Sequence, residues 1–123
     1  MDKKRSVLLV EDNPDTVEFL SRRLVDEGYD VMIARNGRDA LRIATAELPS
    51  AVVLDINLPL LNGDEVCREL RKHDATSRMP IVFVTAETET RVKDLLVPGL
   101  TICLEKAIKS KTLLDALREL VPS

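Results

Sequence analysis

Five short apolar runs recur along the chain, separated by segments with helical spacing, and this alternation constrains the fold more than any other feature. The runs are Val7–Val10, Val31–Ala34, Ala51–Leu54, Ile81–Val84 and Thr101–Leu104. Three of them are unbroken β-branched or aliphatic blocks rather than in-out alternations, as expected of parallel strands covered on both faces. Between the runs, Val17, Leu20, Leu24 and Val25 follow helical spacing, opened by Asn13-Pro14 and closed by Gly28. Ala40, Leu41, Ile43, Ala44 and Leu48 predict a second helix stopped by Pro49, and Val66 and Leu70 a third after an Asn62-Gly63 turn. Val92, Leu95 and Leu96 predict a fourth, broken at Pro98-Gly99, and Leu113, Leu114, Leu117, Leu120 and Val121 a fifth with a broad apolar face. Five β-α units with short connections imply an open parallel sheet with helices on both sides and right-handed crossovers.

The remaining bulk properties narrow the functional classes. A chain of 123 residues fits one domain, 1–123, and it stops just past the last helix, so no output domain is expected within it. Charged residues make up 32% and hydrophobic ones 45%, a globular balance that argues against disorder. A net charge of −3 without a basic stripe predicts no direct contact with nucleic acid. After Lys3-Lys4-Arg5 only four apolar residues precede Glu11, so neither a signal-peptide core nor a membrane span is expected. Cys67 and Cys103 lie far apart without metal-ligand spacing, which fits reduced thiols in the cytoplasm.

In such a sheet ligands gather outside the carboxyl ends of the strands. The first run ends in Glu11-Asp12, the third in Asp55, the fourth in Thr85-Ala86 and the fifth in Glu105-Lys106. Clustered carboxylates repel one another unless a cation lies between them, and all-oxygen ligation by a few acids suits Mg²⁺. A carboxylate that also meets a phosphoryl group can act as a nucleophile and become an aspartyl phosphate. Such transfer needs positioning and charge neutralisation, which a divalent ion and Lys106 could both supply. Taken singly, Asp12 or Asp15 reads equally well as a helix N-terminal acid. The set of acids, hydroxyl and ammonium at four strand ends is harder to assign to solvation alone.

With VLLVEDNP, VVLDINLPLLNG, IVFVTA and a Lys after the fifth run, in that order and spacing, the whole chain resembles the receiver domain of two-component response regulators. The resemblance implies a flavodoxin-like (βα)5 fold, a doubly wound sheet of order 2-1-3-4-5. It implies Asp55 as phosphoacceptor, with Asp12, Asp55 and the backbone carbonyl of Asn57 ligating Mg²⁺ and Glu11 acting mostly through water. Thr85 would hydrogen-bond a phosphoryl oxygen, Ala86 would leave room for it, and Lys106 would neutralise its charge. Asn57 and Glu87 would tune hydrolysis of the acyl phosphate. The implied partners are a sensor histidine kinase or histidine phosphotransfer protein, and downstream an effector protein or a missing output domain. A homodimer through the face of the fourth helix, fifth strand and fifth helix is also implied on phosphorylation. On this reading the protein is not an enzyme acting on a separate substrate; its chemistry is limited to its own phosphotransfer and autodephosphorylation.

Four positions depart from the family pattern. Ala107 replaces the usual proline after the lysine, and a cis bond before a non-proline costs about 2.5–4 kcal/mol, so a trans Lys106–Ala107 peptide is expected. Cys103 replaces an aromatic switch residue and cannot fill the same volume. Leu100 and Ile102 replace polar residues, leaving an altered, more apolar readout edge. That edge motivates an alternative, a phosphate-independent pseudo-receiver acting as a protein-interaction module. An enzyme on the same sheet ranks third: the first loop offers carboxylates rather than the glycines and backbone N–H groups of a phosphate cradle. His73 reads as an exposed helix end in preference to a phosphocarrier, and Cys103 as a small buried hydrophobe in preference to a redox sensor.

Overall fold

A computed structural model describes residues 5–86, 91–105 and 110–121. Its elements are β1 (Ser6–Val10), α1 (Pro14–Asp26), β2 (Asp30–Ala34), α2 (Gly37–Glu47), β3 (Ala51–Leu54), α3 (Gly63–Lys72), β4 (Ile81–Thr85), a 3₁₀ turn (Lys93–Leu95), β5 (Thr101–Glu105) and α4 (Ser110–Leu120). The five strands are all parallel, in the order β2-β1-β3-β4-β5 that the resemblance implied.

The unbroken apolar runs have a direct physical cause. Successive strand residues point to opposite faces, and here each face carries its own core. Val7, Leu9, Val53 and Val82 pack with Leu24 of α1 and Leu113, Leu117 and Leu120 of α4. Leu8, Val10, Val52, Leu54, Ile81 and Phe83 pack on the other side with Ala40 and Ala44 of α2 and Val66, Cys67 and Leu70 of α3. No position in β1, β3 or β4 beyond Ser6 faces water, so none of these strands alternates polar with apolar.

Local signals end the helices where the sequence predicts. The Asn13 side chain accepts from the backbone N–H groups of Asp15 and Thr16 at 2.9 and 3.3 Å, and Pro14 opens α1. Gly28, at φ +97°, takes the left-handed turn into β2. Asn36 caps α2 through Asp39 N–H at 2.7 Å, and Leu48 leaves it in a left-handed conformation before Pro49.

The fourth expected helix differs. Around Val92, Leu95 and Leu96 the described residues hold one 3₁₀ turn, closed by Leu95 N–H donating to Val92 at 2.8 Å. Pro98 disfavours helical geometry at Val97, and Val97 instead bridges antiparallel to Thr101 across a turn with Gly99 at φ +76°. The expected Asn62-Gly63 turn is instead the entry to α3, with Asn62 as its N-cap and Gly63 its first residue. Glu87, Lys106 and the Lys106–Ala107 bond lie outside the described residues.

Candidate phosphoacceptor and metal site

Register brings the acids together. β1 lies between β2 and β3, and Val10 stands opposite Ala34 on one side and Leu54 on the other. One residue on, Glu11 N–H still donates to Ala34 and Asp55 N–H to Val10, both at 3.1 Å, so Glu11 and Asp55 leave the sheet side by side. Neighbouring strands lie about 4.8 Å apart, so their carboxylates meet. Glu11, Asp12 and Asp55 each offer a carboxylate oxygen within 4.8 Å of the others, two of them buried and Asp12 exposed. Thr85, 1% exposed, ends β4, and Glu105 ends β5 directly opposite it. Of the residues expected at this rim, Glu11, Asp12 and Asp55 converge, and Thr85 stands at the carboxyl end of β4 on the same edge of the parallel sheet.

Three carboxylates this close repel one another unless a cation lies between them. The oxygens of octahedral Mg²⁺ ligands lie about 2.9–4.2 Å apart, so the observed spread needs only a small side-chain adjustment. The donor set is all oxygen, and it fits a hard divalent cation.

The acceptor loop is held by close backbone packing. Gly63 N–H donates to the Ile56 carbonyl at 2.8 Å, and a Cβ on Gly63 would lie 2.1 Å from the Asp55 carbonyl oxygen. Gly37 N–H donates to Pro59 at 3.1 Å, and a Cβ there would lie 1.7 Å from the Leu61 carbonyl oxygen. Two helix starts thus clamp the loop that follows Asp55. Asn57 N–H donates to Asp55 Oδ1 at 3.3 Å, while the Asn57 side chain is exposed at the rim.

A residue absent from the sequence reading also reaches this loop. Arg91 Nη1 donates to Asn57 Oδ1 at 3.1 Å and its Nη2 to Asp64 Oδ1 at 3.0 Å. Asp64, in the first turn of α3, anchors that guanidinium. Nearby, Arg68 of α3 pairs with Asp94 of the 3₁₀ turn at 3.0 Å, and this bond holds the Asp94 carboxyl below its ordinary range. Of the smaller signals, His73 is an exposed C-cap of α3 as expected, whereas Cys103, expected to be buried, is only half-buried, packed beside the α3-side core on the edge strand β5. Burial pushes the Cys67 thiol up, away from reactivity.

Comparison with known proteins agrees with this geometry. Residues 7–118 match the response regulator receiver domain family. The alkaline phosphatase synthesis transcriptional regulatory protein PhoP of Bacillus subtilis is 42% identical over 89 residues, 72% of this chain and 35% of that protein. The DNA-binding response regulator MtrA of Mycolicibacterium smegmatis is 42% identical over 91 residues, 73% of this chain and 39% of that protein. The chain thus spans between a third and two fifths of the curated relatives it matches. Among solved structures, the receiver domain of sensor histidine kinase PA1611 from Pseudomonas aeruginosa, with a magnesium ion in its active-site cleft, superposes with a TM-score of 0.87 at 30% identity, covering 98% of this chain and all of that one. Chemotaxis response regulator CheY4 of Vibrio cholerae superposes at 0.85, also 30% identical, over 96% of this chain and 99% of that one. With a family match running almost end to end and a strand order to accompany it, the chain belongs to the response regulator receiver domains of two-component systems.

Proposed function

We propose that this receiver domain accepts a phosphoryl group on Asp55 from the phosphohistidine of a sensor histidine kinase or histidine phosphotransfer protein, and so acts as a signalling switch. One observation carries the proposal: Glu11, Asp12 and Asp55, from the ends of adjacent strands, present carboxylate oxygens within 4.8 Å of one another. A solvated set of helix-cap acids would have no reason to converge, and a buried carboxylate beside two others is the expense that a functional site carries.

The chemistry follows from the residues. A carboxylate oxygen of Asp55 attacks phosphorus in line with the leaving imidazole. The new P–O bond forms as the N–P bond breaks, and the imidazole takes the electron pair and then a proton from solvent. Mg²⁺, held by Asp12, Asp55 and the Asn57 carbonyl and through water by Glu11, would neutralise the acids and the phosphoryl oxygens. Thr85, buried at the end of the adjacent strand, donates its hydroxyl to a phosphoryl oxygen, with Ala86 leaving room. Lys106 supplies the balancing ammonium. Engagement of Thr85 pulls on β4 and, through its pairing with β5, biases the edge that meets an effector protein or output domain.

The proposed setting is the cytoplasm, without direct nucleic-acid contact, and with dimerisation on phosphorylation through the face of the expected fourth helix, β5 and the last helix, α4. Among the described residues no helix is long and apolar enough to cross a membrane. The magnesium in the Pseudomonas aeruginosa relative supports the same ion here. A phosphate-independent interaction module has no use for the triple-acid rim. Incubation with acetyl phosphate and Mg²⁺ is expected to add one phosphoryl group, absent in Asp55→Asn and in EDTA. An unmodified mass under saturating donor and Mg²⁺ would overturn the proposal.

A further inference from the structure

The guanidinium of Arg91 lies on the segment after β4, yet it bonds to the loop after β3. Its two nitrogens grip two different residues of that neighbouring unit, Asn57 Oδ1 at 3.1 Å and Asp64 Oδ1 at 3.0 Å. Asp64 is the more buried partner, its side chain 15% exposed against 37% for Arg91, so the pair is anchored at the Asp64 end. Asn57 is two residues from Asp55, and its own N–H already donates to Asp55 Oδ1 at 3.3 Å. The Asn57 backbone thus touches the acceptor, while its side-chain oxygen, two residues from Asp55, already accepts one hydrogen bond from the guanidinium.

That occupancy has a chemical consequence. An amide carries one acceptor oxygen and one donor nitrogen, and only the oxygen can accept a proton-bearing hydrogen bond from water. Hydrolysis of an acyl phosphate on Asp55 needs a water to reach phosphorus in line, from the solvent side. The water oxygen bonds to phosphorus as the P–O bond to Asp55 breaks. The carboxylate leaves with the electron pair, and both water protons end on the released phosphate. A free amide oxygen at this rim would orient that water; with one of its two lone pairs held in a charge-assisted bond and a guanidinium beside it, the same oxygen is a weaker and more crowded acceptor.

We infer that Arg91 is a positioning residue that occupies the Asn57 side-chain oxygen and so prolongs the life of the acyl phosphate on Asp55. The inference rests on Asp55 as phosphoacceptor. The grip is partly exposed, and ion pairs of that kind support effects of about two- to fivefold.

The test uses the whole chain loaded with acetyl phosphate and Mg²⁺, then freed of donor, with phosphate release followed in time. Arg91→Ala is expected to shorten the half-life about two- to fivefold. Arg91→Lys, with one point charge in place of a fork, falls between the two. In an Asn57→Ala background, Arg91→Ala is expected to change nothing, because the oxygen it would release is gone; a merely structural role would persist there. An unchanged or longer half-life in Arg91→Ala overturns the inference, as does a shortening of equal size in both backgrounds. Failure of the wild-type chain to take up phosphate would instead overturn the reading of Asp55, so the two failures are distinct.

Discussion

Gly63→Ala sets two physical rules against each other. Gly63 is the first residue of α3 and has no positive φ, so backbone preference alone favours alanine by up to about 1 kcal/mol. The space around it says the reverse. An added Cβ would lie 2.1 Å from the Asp55 carbonyl oxygen, 2.9 Å from the Ile56 Cα and 3.0 Å from the Asp55 carbonyl carbon. All three are backbone atoms, so no side chain can swing aside, and relief requires α3 to move from the acceptor loop. Overpacking of this kind costs about 1–3 kcal/mol. Such movement also stretches the 2.8 Å bond from Gly63 N–H to the Ile56 carbonyl, worth about 1 kcal/mol. The net expectation is a loss of about 1–3 kcal/mol, the steric and hydrogen-bond terms outweighing propensity. For a chain of this length that lowers the thermal midpoint by roughly 10 °C. Urea unfolding followed by circular dichroism measures it, with Gly28→Ala as control. Gly28 meets nothing within 4 Å, so that change carries only the cost of its φ of +97°, about 1 kcal/mol. Because the displaced atoms belong to Asp55 itself, Gly63→Ala is also expected to slow phosphorylation under conditions where it remains folded. A Gly63→Ala protein as stable as wild type, or more so, would refute the steric argument and with it the idea that α3 clamps the acceptor loop.

Metal and pH supply two further predictions. Mg²⁺ at a hundredfold excess over its dissociation constant is expected to stabilise the wild type by about 2.7 kcal/mol. Asp12→Asn is expected to lose most of that gain while raising the thermal midpoint slightly in EDTA, since it removes one of three crowded charges; a midpoint indifferent to Mg²⁺ would contradict the cation site. The Asp94 carboxyl lies below its ordinary 3.8 because Arg68 hydrogen-bonds its charged form. The unfolded chain therefore takes up this proton first: the contribution of the pair is complete above the unfolded value and is lost as pH falls through the lower folded one. A carbon-detected titration of Asp94 should give a midpoint below 3.8 that returns to it in Arg68→Ala; equal midpoints in both proteins would remove the pair from the account.

Local chemistry and pattern made much of this protein legible. Asn13-Pro14, Gly28 and Pro49 mark helix ends because caps and breakers act within a few residues. The apolar runs at β1, β3 and β4 announce burial on both faces, since period-two geometry would otherwise demand alternation. The acids that close β1 and β3 could be named as site candidates, because a strand end in a parallel sheet faces one common rim. The helix expected at Val92–Leu96 gives way to a 3₁₀ turn for an equally local reason: three apolar residues at helical spacing do not outweigh a nearby proline and a bridge between Val97 and Thr101.

Other features depend on positions that no window along the chain contains. Nothing near Arg91 distinguishes it from the other arginines; its partners Asn57 and Asp64 precede it by 34 and 27 positions. Gly63 reads as half of a turn until α3 is seen lying against the Asp55 backbone, and Gly37 has no visible purpose until Leu61 is in place. Residue types and short-range order decide which segments become strands and helices and which side chains can do chemistry. Register decides which of those side chains meet, because a shift of one residue between β1 and β3 would turn Glu11 and Asp55 apart while leaving every strand and helix in the chain intact.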